Sequence, residues 1–300
     1  MGEIDIKDKK VLITGGNGYL GRHLAISLRE AGSMVFIMDK NGDETSENTF
    51  ILDITDRELL TKTIHKIQPH IVFHLAASLN RDRNFVSFDE IHSINFDGTL
   101  NLLLALQNVD YENFIFASTS EIYGSNEAPF IESQIPDPAS PYSLTKVFSE
   151  NLIKTFSKTY NKKFTILRIF NFFGKGMSPQ FFIPQMINSL RSNISFEMTE
   201  GEQKRDFLYL DDLLEAMLLS ASHTARNETF NLCSGEAVSL KQLVLEMKLK
   251  LNSKSEIVFG ALPYRNNEVW NMVGENTKIK EAIGFVPKYN LGKGIEQLIS

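Results

Sequence analysis

Tyr142 and Lys146 form a pair whose residue types and spacing could carry chemistry. They stand four positions apart in a stretch with helical periodicity, Pro141–Tyr160, so their side chains are expected on one face of a helix. A lysine cation beside a phenol stabilises the phenolate and lowers the pKa of the phenol from its usual value of about 10. Such a pair could transfer a proton to or from a hydroxyl group. Taken alone, the spacing also fits two solvated side chains.

A glycine-rich segment, Gly15–Gly21, follows directly on the apolar run Lys10–Thr14 and precedes a helical pattern. Glycine permits a sharp turn, a close approach of backbone amides to a pyrophosphate, and tight contact between helix and strand. The N-terminus of the following helix offers unpaired N–H groups and a partial positive charge to phosphates. Asp39 ends the next apolar run, as expected for a dinucleotide-binding turn. The alternative is a Gly-rich hairpin in which Asp39 is an ordinary turn residue.

Asp39 also bears on the choice of dinucleotide. A carboxylate at the end of the second strand accepts hydrogen bonds from the adenosine ribose hydroxyls and repels a 2′-phosphate. Lys40, the next residue, partly offsets that repulsion. The sequence therefore predicts NAD as the cofactor and makes NADP the less favoured choice.

These residues need elements that position them, and the first 170 residues supply an alternation of apolar runs and amphipathic stretches. The apolar runs are Val11–Thr14, Met34–Asp39, Thr49–Ile54, His70–Ala77, Asn113–Thr119 and Phe164–Ile169. Helical patterns between them include Tyr19–Ala31, Asp56–Ile67 and Pro141–Tyr160. This alternation predicts an α/β fold with a doubly wound parallel sheet, which binds its ligand beyond the carboxyl ends of the strands.

The pattern changes after about Asn171. A Phe-rich loop, a helix near Pro184–Leu190 and a polar turn at Thr199–Lys204 come first. Helices are then expected at Asp211–His223 and Leu240–Leu251, with strands at Glu228–Cys233 and Ile257–Phe259. We expect a dinucleotide-binding domain over residues 1–170, which also receives roughly residues 205–235. Residues 171–300 are expected to form a smaller C-terminal α/β cap that binds the substrate.

Composition limits the classes of partner. The chain of 300 residues carries 31 Lys and Arg against 37 Asp and Glu, a net charge of −6 with a pI of about 5.6. This acidic balance argues against a nucleic acid or an anionic membrane as partner, but it permits a local basic pocket. The single cysteine, Cys233, excludes an intrachain disulfide and a cysteine-based zinc site, and we expect no metal. No window approaches the roughly 18 apolar residues of a membrane span, and we expect a cytoplasmic protein.

A resemblance to a known family rests on three features: the glycine turn, the Tyr142–Lys146 pair, and the hydroxyls of Ser118–Ser120, which lie between the other two in the sequence. The sequence resembles the extended short-chain dehydrogenase/reductase family, in its nucleotide-sugar epimerase/dehydratase branch, over nearly its whole length. Other segments that carry the resemblance are Asp53-Ile54, His74–Ala77, Asn95 with Gly98-Thr99, Ser118–Gly124, Arg168 with Asn171, Arg205–Phe207, and Arg265 with Glu268. The resemblance implies a Rossmann fold.

The resemblance also implies roles for individual residues. Tyr142 would be the acid/base, Lys146 would bind the nicotinamide ribose and tune Tyr142, and Thr119 would hydrogen-bond the reacting sugar oxygen. The implied cofactor-binding residues are Gly15, Gly18, Tyr19, Leu20, Gly21, Asp39, Lys40, Asp53, Ile54, Leu75, Ala76, Ala77, Asn95, Ser118, Tyr142 and Lys146. The implied substrate-binding residues are Thr119, Ser120, Asn171, Arg205, Arg265 and Glu268. Among these, Asn171 and the two arginines would hold a diphosphate, although each arginine could instead form a surface ion pair.

The segment Thr119–Gly124 bears on the reaction. Its Thr-Ser-Glu start is similar to GDP-mannose 4,6-dehydratases and UDP-glucuronate decarboxylases, in which Glu121 would act as a second acid/base. Glu121 could equally be a solvated or capping carboxylate. The run Leu262–Val269 and the later Lys293–Glu296 resemble GDP- and CDP-linked 4-keto-6-deoxysugar reductases, and they are also similar to GDP-mannose dehydratase. One departure from the family pattern is the segment Asn171–Gly176, where Phe173 and Lys175 replace a tyrosine and a proline.

The sequence thus predicts hydride transfer at C4 of a nucleoside-diphosphate hexose, as a 4-keto-6-deoxysugar reductase or a C4-epimerase. The alternative is a 4,6-dehydratase or decarboxylase that uses Glu121, and a non-catalytic dinucleotide sensor is a third hypothesis. A homodimer through the helices around Leu100–Gln107 and Tyr142–Tyr160 is what the resemblance suggests.

Overall fold

A computed structural model describes residues 6–42, 48–80 and 83–299 of the chain. The strands are β1 (Lys10–Thr14), β2 (Met34–Asp39), β3 (Thr49–Ile51), β4 (Ile71–His74), β5 (Asn113–Thr119), β6 (Phe164–Ile169), β7 (Asn171–Phe173), β8 (Phe196–Glu197), β9 (Lys204–Tyr209), β10 (Glu228–Leu232), β11 (Ala237–Ser239), β12 (Ile257–Val258) and β13 (Asn271–Met272). The α-helices are α1 (Tyr19–Glu30), α2 (Arg57–Ile67), α3 (Phe88–His92), α4 (Gly98–Leu106), α5 (Pro141–Tyr160), α6 (Phe182–Arg191), α7 (Leu210–Leu219), α8 (Leu240–Lys250), α9 (Thr277–Ile283) and α10 (Leu291–Ile299). A π-helical turn spans Ser93–Asp97, and 3₁₀ turns span Ser120–Tyr123 and His223–Ala225.

Seven strands form one parallel sheet in the order β10-β6-β5-β4-β1-β2-β3. The chain moves outwards from β1 to β3 and then returns to place β4 on the other side of β1. This reversal leaves a crevice at the carboxyl ends of β1 and β4, where open α/β sheets bind ligands. The predicted fold class, a doubly wound parallel sheet, is confirmed.

Strand β1 explains why the sheet is covered on both faces. Its side chains alternate, so Val11 and Ile13 join one hydrophobic cluster while Leu12 joins the other. The first cluster also contains apolar residues of α1 and α7, and the second contains those of α2, α4 and α5. A strand buried on both faces reads as a continuous apolar run, which is the pattern that the sequence presents.

Helix α5 begins with a cap that fixes its first turn. The Ser140 hydroxyl accepts a hydrogen bond from the amide of Ser143, the Ser143 hydroxyl lies within hydrogen-bonding distance of the Ser140 amide, and Pro141 occupies the first turn. The helix ends at Asn161, which adopts the left-handed conformation with φ of 51°. Tyr142 therefore lies in the capped first turn of the helix.

A second, smaller α/β unit follows the large sheet. Its sheet has the order β11-β9-β13, and β7 also pairs with β9. Helices α6, α8 and α10 contribute apolar side chains to its core, together with Phe207 and Tyr209 of β9. The sequence predicted a polar turn at Thr199–Lys204 but no strand after it, whereas β9 begins at Lys204 and is the central strand of this sheet.

Two segments after residue 171 lie against the large sheet rather than the small one. Strand β10 pairs in parallel with β6 at the edge of the large sheet, and α7 contacts α1. Helix α9 contributes Ile279 and Ile283 to the same hydrophobic cluster as α1. Leu208 of β9 joins that cluster too, while its neighbours face the core of the small unit. The alternation along β9 therefore joins the two cores.

Candidate active site

The glycine turn after β1 is held by contacts that a side chain would break. Gly15 has φ of +71°, and a Cβ atom placed on it would lie 2.7 Å from the backbone nitrogen of Ala76. A Cβ on Gly21 would collide with the backbone of Gly15 and Gly16, because α1 begins directly against the turn. Gly18 occupies the N-cap position of α1 without a side-chain cap. The first turn of α1 thus presents backbone amides rather than a side chain, as a pyrophosphate site requires.

Asp39, at the end of β2, ties this turn to the next strand. Its carboxylate accepts a hydrogen bond from the Asn17 amide at 3.0 Å and another from the Asn41 amide at 3.0 Å. The second bond closes a local turn, which was the alternative interpretation of this aspartate. The first bond fixes the carboxylate beside the glycine turn, and the predicted contact of Asp39 with the adenosine ribose remains a prediction.

One cavity of about 540 Å³ lies along the carboxyl ends of the large sheet and extends to the small unit. All of the predicted site residues except Asn95 and Glu268 line it. The glycine turn, Asp39, Asp53 and Leu75–Ala77 line the cavity together with Ser118–Glu121, Tyr142 and Lys146. Asn171, Arg205 and Arg265 line it from the segment after residue 170. Tertiary structure therefore brings the predicted cofactor, acid/base and diphosphate groups into one space.

Lys146 is buried beside the predicted acid/base. Its side chain lies one turn after Tyr142 on α5, and its Nζ donates a hydrogen bond to the Ala117 carbonyl oxygen at 2.8 Å. The Nζ atom lies 4.6 Å from the centre of the Phe116 ring and 5.9 Å from the centre of the Tyr142 ring. Burial lowers the pKa of Lys146 to about 7, although the charge of Glu150 opposes that shift. A cation that titrates near neutral pH can support proton transfer by Tyr142.

Thr119 and Glu121 lie at the carboxyl end of β5. The Thr119 hydroxyl accepts a hydrogen bond from the Glu121 amide at 3.2 Å and begins the 3₁₀ turn of residues 120–123. Glu121 and Arg205 both line the cavity, and the charge of Glu121 opposes the lowering of the Arg205 pKa by burial. A hydroxyl and a carboxylate thus lie on the same wall.

Arg205 forms an ion pair with Glu268, as one interpretation of the sequence anticipated, but the pair is largely buried rather than on the surface. Its Nη1 also donates to the Val269 carbonyl oxygen at 2.7 Å. Burial lowers the pKa of Arg205, and the nearby charge of Arg265 lowers it further, while Glu268 opposes both effects. The guanidinium groups of Arg205 and Arg265 both line the cavity, where they can donate charge-assisted hydrogen bonds to an anion. Glu268 reaches this arrangement only through Arg205, since it does not line the cavity.

Asn95 lies behind the cavity wall rather than on it. Its amide oxygen accepts from the Ser78 amide at 2.7 Å, and its amide nitrogen donates to the Thr145 hydroxyl at 3.0 Å. The Thr145 hydroxyl in turn donates to the Tyr142 carbonyl oxygen at 2.8 Å. Asn95 therefore connects the loop after β4 to the first turn of α5, and its predicted contact with the cofactor remains a prediction.

The departure at Phe173 and Lys175 falls outside the cavity wall. The Phe173 side chain is buried in the core of the small unit, with its ring 5.5 Å from that of Tyr209. The Lys175 carbonyl oxygen accepts a hydrogen bond from the Tyr19 hydroxyl at 3.0 Å. The tyrosine-to-phenylalanine difference thus affects packing behind the site.

Sequence reasoning missed Arg83 and the apolar side of the cavity. Arg83 donates hydrogen bonds to the carbonyl oxygens of Ala139 and Asn267, so it bridges the start of α5 and the loop of the small unit. Phe181, Phe182, Pro184 and Met177 line the opposite wall. The Phe-rich composition was visible in the sequence, but its position over the cavity depends on how α6 folds back. Arg83 follows β4 in the sequence. A basic side chain after a parallel strand is a signal from which its place at the cavity could have been predicted.

The match of residues 11–233 to the family described as the NAD dependent epimerase/dehydratase family decides the classification. The chain belongs to this family. Membership confirms the predicted family, the prediction of an enzyme and the prediction of NAD as cofactor. The glycine turn, the uncapped start of α1 and Asp39 fit that cofactor.

Relatives in the family carry names for different reactions. A dTDP-4-dehydro-6-deoxyglucose reductase of Escherichia coli is 28% identical, with 99% of this chain and 98% of the relative covered. A UDP-N-acetyl-alpha-D-glucosaminuronate decarboxylase of Bacillus cytotoxicus is 30% identical, with 97% of each chain covered. The crystal structure of a UDP-glucose 4-epimerase from Thermotoga maritima, with UDP-glucose, is 30% identical with a TM-score of 0.89 and covers 97% of each chain. Redox, decarboxylation and epimerisation thus share this scaffold.

Neither a metal site nor a membrane-spanning helix is present among the described residues. Across 6–42, 48–80 and 83–299, no three His, Cys, Asp or Glu side chains are grouped as a metal site would need. In the same ranges, no helix has the length and apolar character to cross a bilayer.

Proposed function

We propose that this enzyme transfers a hydride between NAD and C4 of a nucleoside-diphosphate hexose, as a 4-keto-6-deoxysugar reductase or a C4-epimerase. The observation that carries the proposal is a single cavity lined by the glycine turn, by Tyr142 with Lys146, and by Arg205 with Arg265. These groups suit a dinucleotide, a hydroxyl or keto group, and a diphosphate.

The chain's own residues would move a proton and hold the sugar. NAD, when bound, supplies the hydride acceptor or donor. Tyr142 exchanges a proton with the oxygen on C4, and Thr119 hydrogen-bonds that oxygen. Lys146, held by the Ala117 carbonyl, places a positive charge beside Tyr142 and favours its ionised form. Arg205 and Arg265 bind the diphosphate, with Asn171 beside them.

Reduction and epimerisation differ in what happens to the cofactor. A reductase consumes one reduced cofactor per product, whereas an epimerase regenerates it in each cycle. The names of the E. coli and T. maritima relatives support both possibilities. The experiment is to mix the purified enzyme with NADH and 4-keto-6-deoxysugar nucleotides, or with NAD and hexose nucleotides, and to follow nicotinamide absorbance and product.

Tyr142→Phe tests the proposal directly. This change removes the phenol that exchanges the proton while leaving the glycine turn intact, so turnover should be lost and NAD should still bind. Isothermal titration with NAD is the control. Unchanged turnover in this variant contradicts the mechanism. No absorbance change in the wild type with any candidate sugar nucleotide favours the sensor hypothesis instead.

Glu121 supports a second candidate function, 4,6-dehydration or decarboxylation. Glu121 lines the same cavity as Tyr142 and Arg205, where a second acid/base could act on the sugar. Glu121→Gln should stop elimination and spare redox chemistry at C4. A dehydratase rate that survives this change excludes Glu121 as the second base.

We also propose a homodimer formed through α4 and α5. Its support is an exposed aromatic surface beside these helices, in which Phe148 is 36% exposed and its ring lies 6.2 Å from that of Phe96. Light scattering after size exclusion tests the dimer, and Phe148→Lys should shift it towards a monomer. The same proposal includes the two domains: residues 1–170, which also receive roughly residues 205–235, bind the dinucleotide, and the smaller cap of residues 171–300 binds the substrate. It also includes a cytoplasmic location.

A further inference from the structure

Glu150 is a buried carboxylate that the mechanism above does not use. It follows Lys146 by four positions on α5, and Tyr142 precedes Lys146 by four, so the three side chains share one face of the helix. Lys146 and Glu150 are each 2% exposed. A carboxylate so far from solvent needs partners that compensate its charge.

Arg168 of β6 supplies the main compensation. Its Nε and Nη2 donate to the two carboxylate oxygens of Glu150, at 3.1 and 2.9 Å. Burial opposes the charge on Arg168, but the hydrogen bonds and the charge of Glu150 raise its pKa above the usual value. Arg168 also donates to the Tyr123 hydroxyl at 2.9 Å, so the guanidinium is held on two sides. The fork geometry fixes the carboxylate in one orientation.

Lys146 and Glu150 of α5 form hydrogen bonds with two consecutive residues of β5. Lys146 donates to the carbonyl oxygen of Ala117 at 2.8 Å, and the Ser118 hydroxyl donates to Glu150 at 2.6 Å. Ser118 also lies opposite Arg168 in the pairing of β5 with β6. These contacts fix how α5 sits along β5, which in turn sets where Tyr142 lies relative to Thr119 at the end of the strand.

We propose that Glu150, held by Arg168 and Ser118, is a positioning residue that maintains the charge and the placement of Lys146 beside Tyr142. This inference rests on the roles proposed above for Tyr142 and Lys146. Among the described residues, the charged or titratable groups around Lys146 and Glu150 are Tyr142 and Lys154 on α5, His74 on β4 and Arg168 on β6. Glu150 is the one carboxylate in this group of described residues, so it is the group that can retain a proton on Lys146.

The test measures the ionisation of Lys146 in the full-length protein. The protein is labelled with ¹³C at lysine Cε, and the Lys146 resonance is assigned by its loss in Lys146→Met. Glu150→Gln should lower the pKa of Lys146 by about one unit or more, as expected when an opposite charge close by is removed. The cation is lost as pH rises through its pKa, so the alkaline limb of kcat/KM should move to lower pH by the same amount.

Two variants separate charge from structural damage. Arg168→Lys breaks the bidentate hydrogen bonding but keeps a positive charge beside Glu150, so the carboxylate stays ionised and the pKa of Lys146 should not fall. Glu112→Gln removes another ion-paired glutamate, near the opposite end of β5, and should leave the titration unchanged. Equal lowering of the Lys146 pKa in Glu150→Gln and Arg168→Lys overturns the inference.

Glu150→Gln leaves a buried guanidinium without its carboxylate and is expected to be destabilised. The double variant Glu150→Gln/Arg168→Met removes both charges, a change that buried ion pairs often tolerate. The pKa of Lys146 should also fall in this double variant. A Lys146 pKa equal to that of the wild type contradicts the inference. Retained turnover in Tyr142→Phe, by contrast, contradicts the proposed function and leaves the Lys146 titration result standing.

Discussion

The two ends of the cavity are built in different ways. At the cofactor end, short contacts hold the groups within or between adjacent strands and helices, as the Gly15–Ala76 approach and the Lys146–Ala117 hydrogen bond illustrate. At the substrate end, Arg205 comes from β9, Arg265 from an exposed loop, and Asn171 from the segment after β6. Their arrangement depends on contacts between segments distant in the sequence.

This difference suggests a division of labour. A cofactor common to a family can be bound by a rigid, buried frame, whereas the end proposed for the substrate includes a loop, that of Arg265, and loops tolerate change. The reaction names of the relatives vary although the chains align over nearly their full length. The predictions below test whether the two ends respond independently.

Gly15→Ala should have the largest effect and should be confined to the cofactor end. The left-handed backbone and the close approach of Ala76 leave no room for a methyl group, so the Kd for NAD should rise by about 100-fold, the equivalent of roughly 3 kcal/mol. Gly176→Ala is the matched control, because Gly176 has φ of +78° but no neighbour within 4 Å. Equal losses of NAD affinity in Gly15→Ala and Gly176→Ala would show that the close approach of Gly15 to Ala76 does not matter for NAD binding.

Arg265→Met should affect the substrate end alone. Loss of charge-assisted hydrogen bonds to a diphosphate, worth about 2 kcal/mol, should raise KM for the sugar nucleotide by about 30-fold. The Kd for NAD should not change. Lys175→Met is the control, since this lysine of the same unit does not line the cavity. A matching rise in the Kd for NAD would show that the two ends are coupled.

Asp39→Asn should shift the ratio of the Kd values for NAD and NADP by about tenfold in favour of NADP. The amide keeps acceptor and donor groups beside the Asn17 amide but removes the charge that repels a 2′-phosphate. Competition between NAD and NADP, followed by fluorescence or calorimetry, measures the ratio. A ratio that does not move would mean that Asp39 serves only the local turn.

His74 should show the smallest effect, and only in acid. Its Nδ1 lies 2.6 Å from the Thr14 hydroxyl and its Nε2 lies 2.9 Å from the Thr99 hydroxyl. Because Thr99 donates its own proton to the Asn95 carbonyl, Nε2 is the protonated nitrogen of a neutral ring.

Burial, with the charge of Lys146, lowers the pKa of His74 to about 3. The unfolded chain therefore binds a proton below about pH 6.5 that the folded protein does not, and stability falls as pH falls between these values. Between pH 7 and 5.5, His74→Gln should lose about 1 kcal/mol less free energy of unfolding than the wild type. Urea titrations at both pH values measure this difference, and parallel losses would contradict a neutral, buried His74.

The sequence predicted the cofactor end more completely than the substrate end. The glycine turn, Asp39, Tyr142 and Lys146 are each recognisable from local spacing, because a strand end or one helix face places them. β9 was missed because its first residues, Lys204 and Arg205, read as the end of a polar turn. Its place at the centre of the small sheet depends on pairing with three strands distant in the chain.

By itself, the sequence determined the parallel sheet and predicted the glycine turn and the Tyr142–Lys146 pair, because hydrophobic periodicity and the freedom of glycine act over a few residues. Tertiary structure alone decided that Arg205 lines the cavity and at the same time forms an ion pair with Glu268. It also decided that Asn95 supports α5 from behind, and that Glu150 meets Arg168 under Lys146. Each of these depends on burial and on the distance between charges, which the chain acquires only when separate strands and helices come together.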